Sequence, residues 1–382
     1  MSVATALAVG NEAEPFLAEE AFRRALARTG ESQANGVLLF LSADFSRHAQ
    51  RALTAVARAA RCMQVAGGVA AGVFTEQGWA LDRPAAAAMV FAGGLALGPP
   101  DAVARAAEQD DAAVPRIILS YAGGTPPAEW EAPPSRFGGS FAGRDGRAEP
   151  LAWQQARLAA HCSVRPLGVK VDSGVSRGWQ LLGEPCPVGA CRAYDVLTMA
   201  GQASLDHLLH VLPATHRDPE TRFLAAVCAV VFDDHDACGA ARPDAWQTAF
   251  AAGAGRSIAV IAANADRSLT LAERLSPGQK LVWALRSPQA AADDMRRCVD
   301  RLAVAAPTPL GAVVFSCIGR GPYFYDGEDR DVAILQGRFP GLPLIGVHGT
   351  GQIAAKPAGG NRSLQNAVVT ALLSKIPVRP HV

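Results

Sequence analysis

The sequence predicts an α/β protein of two related lobes, each a mixed sheet flanked by helices, with an internal duplication as the simplest origin. Three observations predict it. Gly36-Val37-Leu38-Leu39-Phe40-Leu41-Ser42 and Gly311-Ala312-Val313-Val314-Phe315-Ser316-Cys317 are short, branched and bounded by Gly and Ser, which suits strands buried on both faces. Each is followed by a helical segment and then by a glycine-rich apolar run, Val65 to Gly72 in one case and Leu344 to Gly351 in the other, so a βαβ-like unit is expected twice. Finally, 382 residues exceed one ordinary core, and 49% hydrophobic with 19% charged residues is a folded composition.

Taken in order, Pro15 to Arg28 is predicted as a helix with Leu17, Ala21, Ala25 and Leu26 on one face, stopped by Gly30. Residues 1–30 then form a helical leader. Ser46 is placed to cap a second helix that buries Ala49, Leu53, Val56 and Ala60. Pro and Gly dominate Gly123 to Gly146, the composition of a loop or strand-crossing region, read either as a surface flap whose Trp130 and Phe137 cover a pocket or as a connection with no role of its own. Leu205 to Leu212 reads as a short helix carrying His207 and His210 one turn apart, and the polar stretch Pro213 to Glu220 divides the lobes, 31–213 and 214–382. Phe223 to Phe232, Ser257 to Ala263 and Lys280 to Leu285 are predicted strands. Ser287-Pro288 opens a helix with Ala291, Met295, Val299 and Leu302 on its apolar face.

Charge excludes some partners. With 36 Lys and Arg against 35 Asp and Glu, scattered rather than striped, neither nucleic acid nor an anionic membrane is expected. The start has no basic segment before its apolar run, and Pro84 to Pro100 is too short and too broken to span a bilayer, so the expected location is cytoplasmic. Eight cysteines without secreted-type spacing are expected to be free thiols. Cys186, Cys191, Cys228 and Cys238 fit no standard zinc spacing, and no metal is expected.

The candidate ligand-binding residues sit at the glycine clusters. Gly67, Gly68, Gly349 and Gly351 lack the Cβ atoms that hold a ligand or a crossing chain away; the alternative is tight strand packing. Arg320, between Gly319 and Gly321 just past a buried strand, is placed to clamp a carboxylate with its fork, and Arg165 before Pro166 is a second candidate. Against this stands pairing of each Arg with an Asp such as Asp331 or Asp172. Cys317 beside Arg320 is either a packed thiol or a nucleophile, the latter needing His348 as its base.

The motifs Leu275-Ser276-Pro277-Gly278-Gln279-Lys280-Leu281-Val282-Trp283, Phe315-Ser316-Cys317-Ile318-Gly319-Arg320-Gly321 and Phe339-Pro340-Gly341-Leu342-Pro343-Leu344-Ile345-Gly346, closed by Gly349-Thr350-Gly351-Gln352-Ile353, resemble the C-terminal module of FIST-domain proteins. The strand at Val37 to Phe40, the Ala66 to Gly72 run and Cys162-Ser163-Val164-Arg165-Pro166-Leu167-Gly168 are similar to the matching N-terminal module. The resemblance implies a bacterial intracellular sensor of small ligands such as amino acids, working with a signalling protein such as a histidine kinase or a cyclic-dinucleotide enzyme. It brings no catalytic residues. Some relatives are haem-based nitric oxide sensors, so haem is the alternative cofactor, with His207 and His210 as ligands and His161 and His348 behind them; a Cys317-dependent enzyme is the other alternative. Gln352 stands where the family usually has Glu, and Gln365 where His is common, which puts a charged ligand contact in doubt.

Overall fold

Strands with no polar face need cover on both sides. In the computed structural model, which describes residues 2–101, 116–143, 151–217, 222–232, 245–251, 253–356 and 359–376, Gly36–Ser42 and Gly311–Cys317 are buried along their whole length. The chain divides into two compact units, Met1–Ser176 with Met295–Val382, and Arg177–Asp294.

The larger unit holds two six-stranded sheets with one plan. The first runs Ser2–Val9, Ala85–Ala92, Gly36–Ser42, Val65–Ala70, Ala152–Gln154, Arg157–Ala159; the second runs Val169–Ser176, Val368–Lys375, Gly311–Cys317, Leu344–Gly349, Gly72–Thr75, Gly78–Leu81. In each, the third and fourth strands are parallel and every other neighbour is antiparallel. Gly36 lies opposite Phe91 and Gly311 opposite Leu373, while Val37 pairs with Val65 and Ala312 with Leu344, so setting Gly36 on Gly311 brings both sheets into register.

The sheets stack face to face. Phe40 and Phe315 meet edge to face with centroids 5.9 Å apart, a favoured aromatic geometry. Helices Pro15–Thr29 and Ala49–Ala60 pack on the first sheet through Leu17, Ala21, Phe22, Leu53 and Val56. The outer face of the second sheet is covered by Met295, Cys298, Val299 and Leu302 of helix Pro288–Ala305 and by Leu335 of helix Arg330–Arg338. Pro15 at the first helical position and Gly30 in the left-handed region (φ 73°) fix the ends of the first helix.

A third mixed sheet runs Asn361–Leu364, Gly351–Ala355, Arg136–Ser140, Ile118–Ala122, His161–Leu167, Ala96–Gly98. One face, with Tyr121, Phe137, Cys162 and Val164, joins the core between the first two sheets.

In the smaller unit all neighbouring strands are antiparallel. Lys280–Arg286 pairs with Cys186–Arg192 on one side and Val227–Phe232 on the other, and the path between those two through Asp195–Met199, Leu269–Leu271 and Arg256–Ala263 is continuous. The sheet therefore closes into a ring of six strands around Val188, Met199, Leu208, Val231 and Trp283.

Several expectations change. The leader is not only helical, since Ser2–Val9 is an edge strand of the first sheet. Both six-stranded sheets lie in one compact unit, so the division does not fall at Pro213 to Glu220, part of which lies outside the described residues. Ser46 does not cap the second helix: its hydroxyl donates to the Ala43 carbonyl inside a short 3-10 turn, and His48 precedes the helix. Gly138 and Gly139 of the expected flap are in strand Arg136–Ser140, though residues 144–146 lie outside the described set. Ala85–Ala92, inside the uncharged stretch Pro84 to Pro100, is a buried strand between two others.

Candidate functional site

The C-terminal ends of parallel strands are where open α/β sheets present groups to ligands. At that end of Gly311–Cys317 and Leu344–Gly349, Ser176, Val368, Ser316 and His348 form one row across the second sheet. Side chains alternate across a strand, so Ser316 and His348 face the helices and Cys317 faces the other way. Neither ring nitrogen of His348 has a hydrogen-bond partner. The thiol–imidazole pair that a Cys317 nucleophile requires is not formed.

Arg320 ends a 3-10 turn directly after the first of these strands and is fully buried. Its Nε and Nη2 donate to the two oxygens of Asp331 at 3.1 and 2.6 Å, its Nη1 donates to the Ser176 carbonyl and hydroxyl at 3.0 Å, and the Tyr325 hydroxyl donates to Asp331 at 3.1 Å. Burial works against the guanidinium charge, and the Asp331 carboxylate outweighs it, holding the Arg320 pKa above its ordinary value. Burial likewise pushes the Tyr325 phenol up. The edge of the fork that a ligand carboxylate would use is thus taken by Asp331. This corrects the clamp reading: Arg320 locks the loop from Gly319 and Gly321 onto helix Arg330–Arg338.

The glycines serve packing in the same way. Gly67 has φ 146°, and a Cβ there would strike the Leu39 carbonyl of the parallel neighbour. Tyr121 occupies the space beside Gly68, Ser140 that beside Gly349 and Gly351, and His348 that beside Gly321. Gln352 is fully buried in the third sheet; its Oε1 accepts the Ala367 N–H at 3.4 Å and its Nε2 has no hydrogen-bond partner. Arg165 also lies in the third sheet, opposite Gly98, and Asp172 pairs with Lys170 at 2.9 Å.

Asp329, which the sequence reading did not single out, is the residue that joins this row to a cleft. Its Oδ1 accepts the Val332 N–H at 3.1 Å and caps helix Arg330–Arg338. Its Oδ2 has no hydrogen bond and stands 3.4 Å from His348 Nε2. Asp329 also lines a cleft of about 350 Å³ with Phe74, Thr75, Glu76, Trp79, Glu328 and Val332. Phe74 stacks on the His348 ring with centroids 4.8 Å apart. Glu76 is engaged by the Thr5 hydroxyl, by the Leu344 N–H at 3.2 Å and by Arg28 at 2.6 Å. Two carboxylates that no Arg or Lys among the described residues engages, Asp329 and Glu328, and two aromatic rings therefore share one cleft.

The other histidines expected for haem are carried by other elements. In the smaller unit His207 Nδ1 accepts the Trp283 indole N–H at 3.1 Å, its Nε2 is 3.7 Å from Cys186 Sγ, and burial with nearby His210 holds its pKa below the ordinary value. His161 stands edge-on to Trp130 in the larger unit. Among the described residues no three His, Cys, Asp or Glu side chains stand together as a metal site, and Cys238 lies outside them.

Residues 239–355 match the family model of the FIST C domain. That span is similar to the FIST C domain. It is a sensory, signal-transduction type of domain. The matched span contains Arg320, Asp329, Asp331 and His348. Among curated proteins, the chain is 25% identical over 215 residues to the uncharacterized protein Rv0628c of Mycobacterium tuberculosis, covering 55% of this chain and 52% of that protein. It is 25% identical over 217 residues to the uncharacterized protein Mb0898c of Mycobacterium bovis, with the same coverage. The chain thus spans about half the length of these relatives. No helix among its described residues is long and apolar enough to cross a membrane.

Proposed function

We propose that this protein is a sensor that binds a small amine-bearing metabolite, amino acids being one such class, in the cleft beside Asp329. One observation carries the reading. The Asp329 Oδ2 is buried, makes no hydrogen bond and lines a cleft that also presents Trp79, Phe74 and Glu328. A desolvated carboxylate needs a counter-charge, and aromatic faces attract cations, so an ammonium group suits both. The family resemblance extends the proposal to a signalling partner such as a histidine kinase or a cyclic-dinucleotide enzyme.

The test is a thermal-shift and calorimetric panel of free amino acids and polyamines beside their N-acetyl derivatives. Amines should bind and the acetylated forms should not. Asp329→Asn keeps a good helix cap and removes the charge, so it should abolish amine binding with a stability change below about 0.5 kcal/mol. Equal binding of amines and their acetylated forms, or full amine affinity in Asp329→Asn, would reject the reading.

A further inference from the structure

The third sheet holds a second arginine whose surroundings differ from those of Arg320. Strand register places Ser163 opposite Ser120 and Ile118 beside Arg136, so Ser120, Ser163 and Arg136 share the face that points away from Tyr121, Phe137 and Cys162. Arg136 Nη1 donates to Ser120 Oγ at 2.7 Å and to Ser163 Oγ at 3.1 Å. Its guanidinium carbon lies 5.0 Å from the centroid of Trp130, whose ring forms one wall.

The arrangement is held from behind. Asn361 Oδ1 accepts the Arg136 N–H at 2.7 Å, while Asn361 Nδ2 donates to the carbonyls of Trp130, Ala132 and Pro134 at 2.8, 3.0 and 3.0 Å. One buried amide thus fixes both the arginine strand and the loop that carries the tryptophan. Such positioning of a charged group before any ligand arrives lowers the entropic cost of binding.

What the arrangement leaves over is donors. Arg136 Nε is buried and makes no hydrogen bond, and no carboxylate forms an ion pair with Arg136 among the described residues. Burial lowers the Arg136 pKa, with Glu129 opposing the shift from beyond ion-pair distance. Both serine hydroxyls accept from Nη1, and they stand 3.4 Å from each other. One O–H therefore donates to its neighbour and the other is left to donate outward.

We infer that Arg136, Ser120 and Ser163, walled by Trp130, bind a small oxyanion, a carboxylate or a phosphoryl group, through the Nε and Nη2 edge of the guanidinium. That edge spans two oxygens of a planar or tetrahedral oxyanion, as the same edge of Arg320 spans Asp331. The site is distinct from the amine cleft and stands whether or not that cleft binds.

The experiment uses the full chain with succinate and inorganic phosphate as probes at low chloride, read by titration calorimetry and by tryptophan fluorescence against a Trp130→Phe control. At least one probe should bind, with the fluorescence change absent in Trp130→Phe. Arg136→Gln should weaken binding at least tenfold and Arg136→Lys should recover part of it, because the planar fork is lost. Succinate preferred over phosphate marks a carboxylate ligand, and the reverse order marks a phosphoryl ligand. If Arg136→Gln does not fold, Ser163→Ala supplies the comparison and should weaken the same probe several-fold. Binding of neither probe at millimolar concentration, or unchanged affinity in the folded variants, overturns the assignment.

Discussion

Aligned on Gly36 and Gly311, the two six-stranded sheets of the larger unit have one register and different chemistry. Where the second sheet has Ser176, Ser316, His348 and Thr370, the first has Ala8, Leu41, Val69 and Ala88. Three residues past each central strand, inside a 3-10 turn, Arg320 of one matches Phe45 of the other, and both are fully buried. At these matched positions the first sheet packs with apolar side chains, although Thr5 and Ser42 are buried polar residues elsewhere in it. The polar row of the second is therefore an addition that the frame does not require at these positions, and buried polar atoms without a hydrogen bond, such as those of His348 and Asp329, cost stability. A cost of that kind, placed beside a cleft, is what a binding site looks like energetically.

The largest effect that would break this contrast is at the matched pair of positions. Arg320→Leu leaves Asp331 buried without its counter-charge and should cost about 3–5 kcal/mol in urea unfolding, whereas Phe45→Leu should cost under about 1.5 kcal/mol. Equal costs would mean that the two positions play the same packing role.

The apolar sheet can be sharpened through pH. Cys162 packs against it with Sγ 3.6 Å from the Gly67 carbonyl, and burial pushes its thiol up to about 12 from an ordinary value of 9.0. Because the folded pKa is raised, the stabilisation is complete below about pH 9 and is lost as pH rises toward 12. Cys162→Ala should flatten that alkaline decline in stability. A decline identical to wild type would show that this face does not enforce neutrality.

The smallest effect is expected from giving the polar sheet the residue of its counterpart. His348→Val should leave unfolding free energy within about 1 kcal/mol, since an apolar side chain replaces an imidazole that makes no hydrogen bond. The same variant should alter amine affinity at Asp329. A loss of several kcal/mol would instead make His348 a structural partner of Asp329.

The central strands were legible because branched apolar residues in short runs leave few alternatives, and Pro15 with Gly30 marked a helix by local chemistry. Ala85–Ala92 was not, since alanine has little strand preference and only its two neighbours make that segment a strand. The closed ring of the smaller unit depends on Val227–Phe232 finding Lys280–Arg286, a pairing no local signal announces. At the site, pairing of Arg320 with Asp331 was one of two open readings, and burial decided it. Asp329 faces His348 only because a helix starts where it does, though an Asp just before an apolar periodic segment is a cap signal that points to it. Arg136 was hidden inside a segment whose prolines and glycines suggested a loop.

The FIST C span begins at residue 239, yet the strands that complete its sheets come from far earlier in the chain. Leu344–Gly349 is bordered by Gly72–Thr75, and Gly351–Ala355 by Arg136–Ser140. A fragment cut to the matched span would expose both borders as bare backbone, open to pairing with copies of itself. The matched span is therefore not self-sufficient: the strands that close its sheets must be supplied by the residues that precede it.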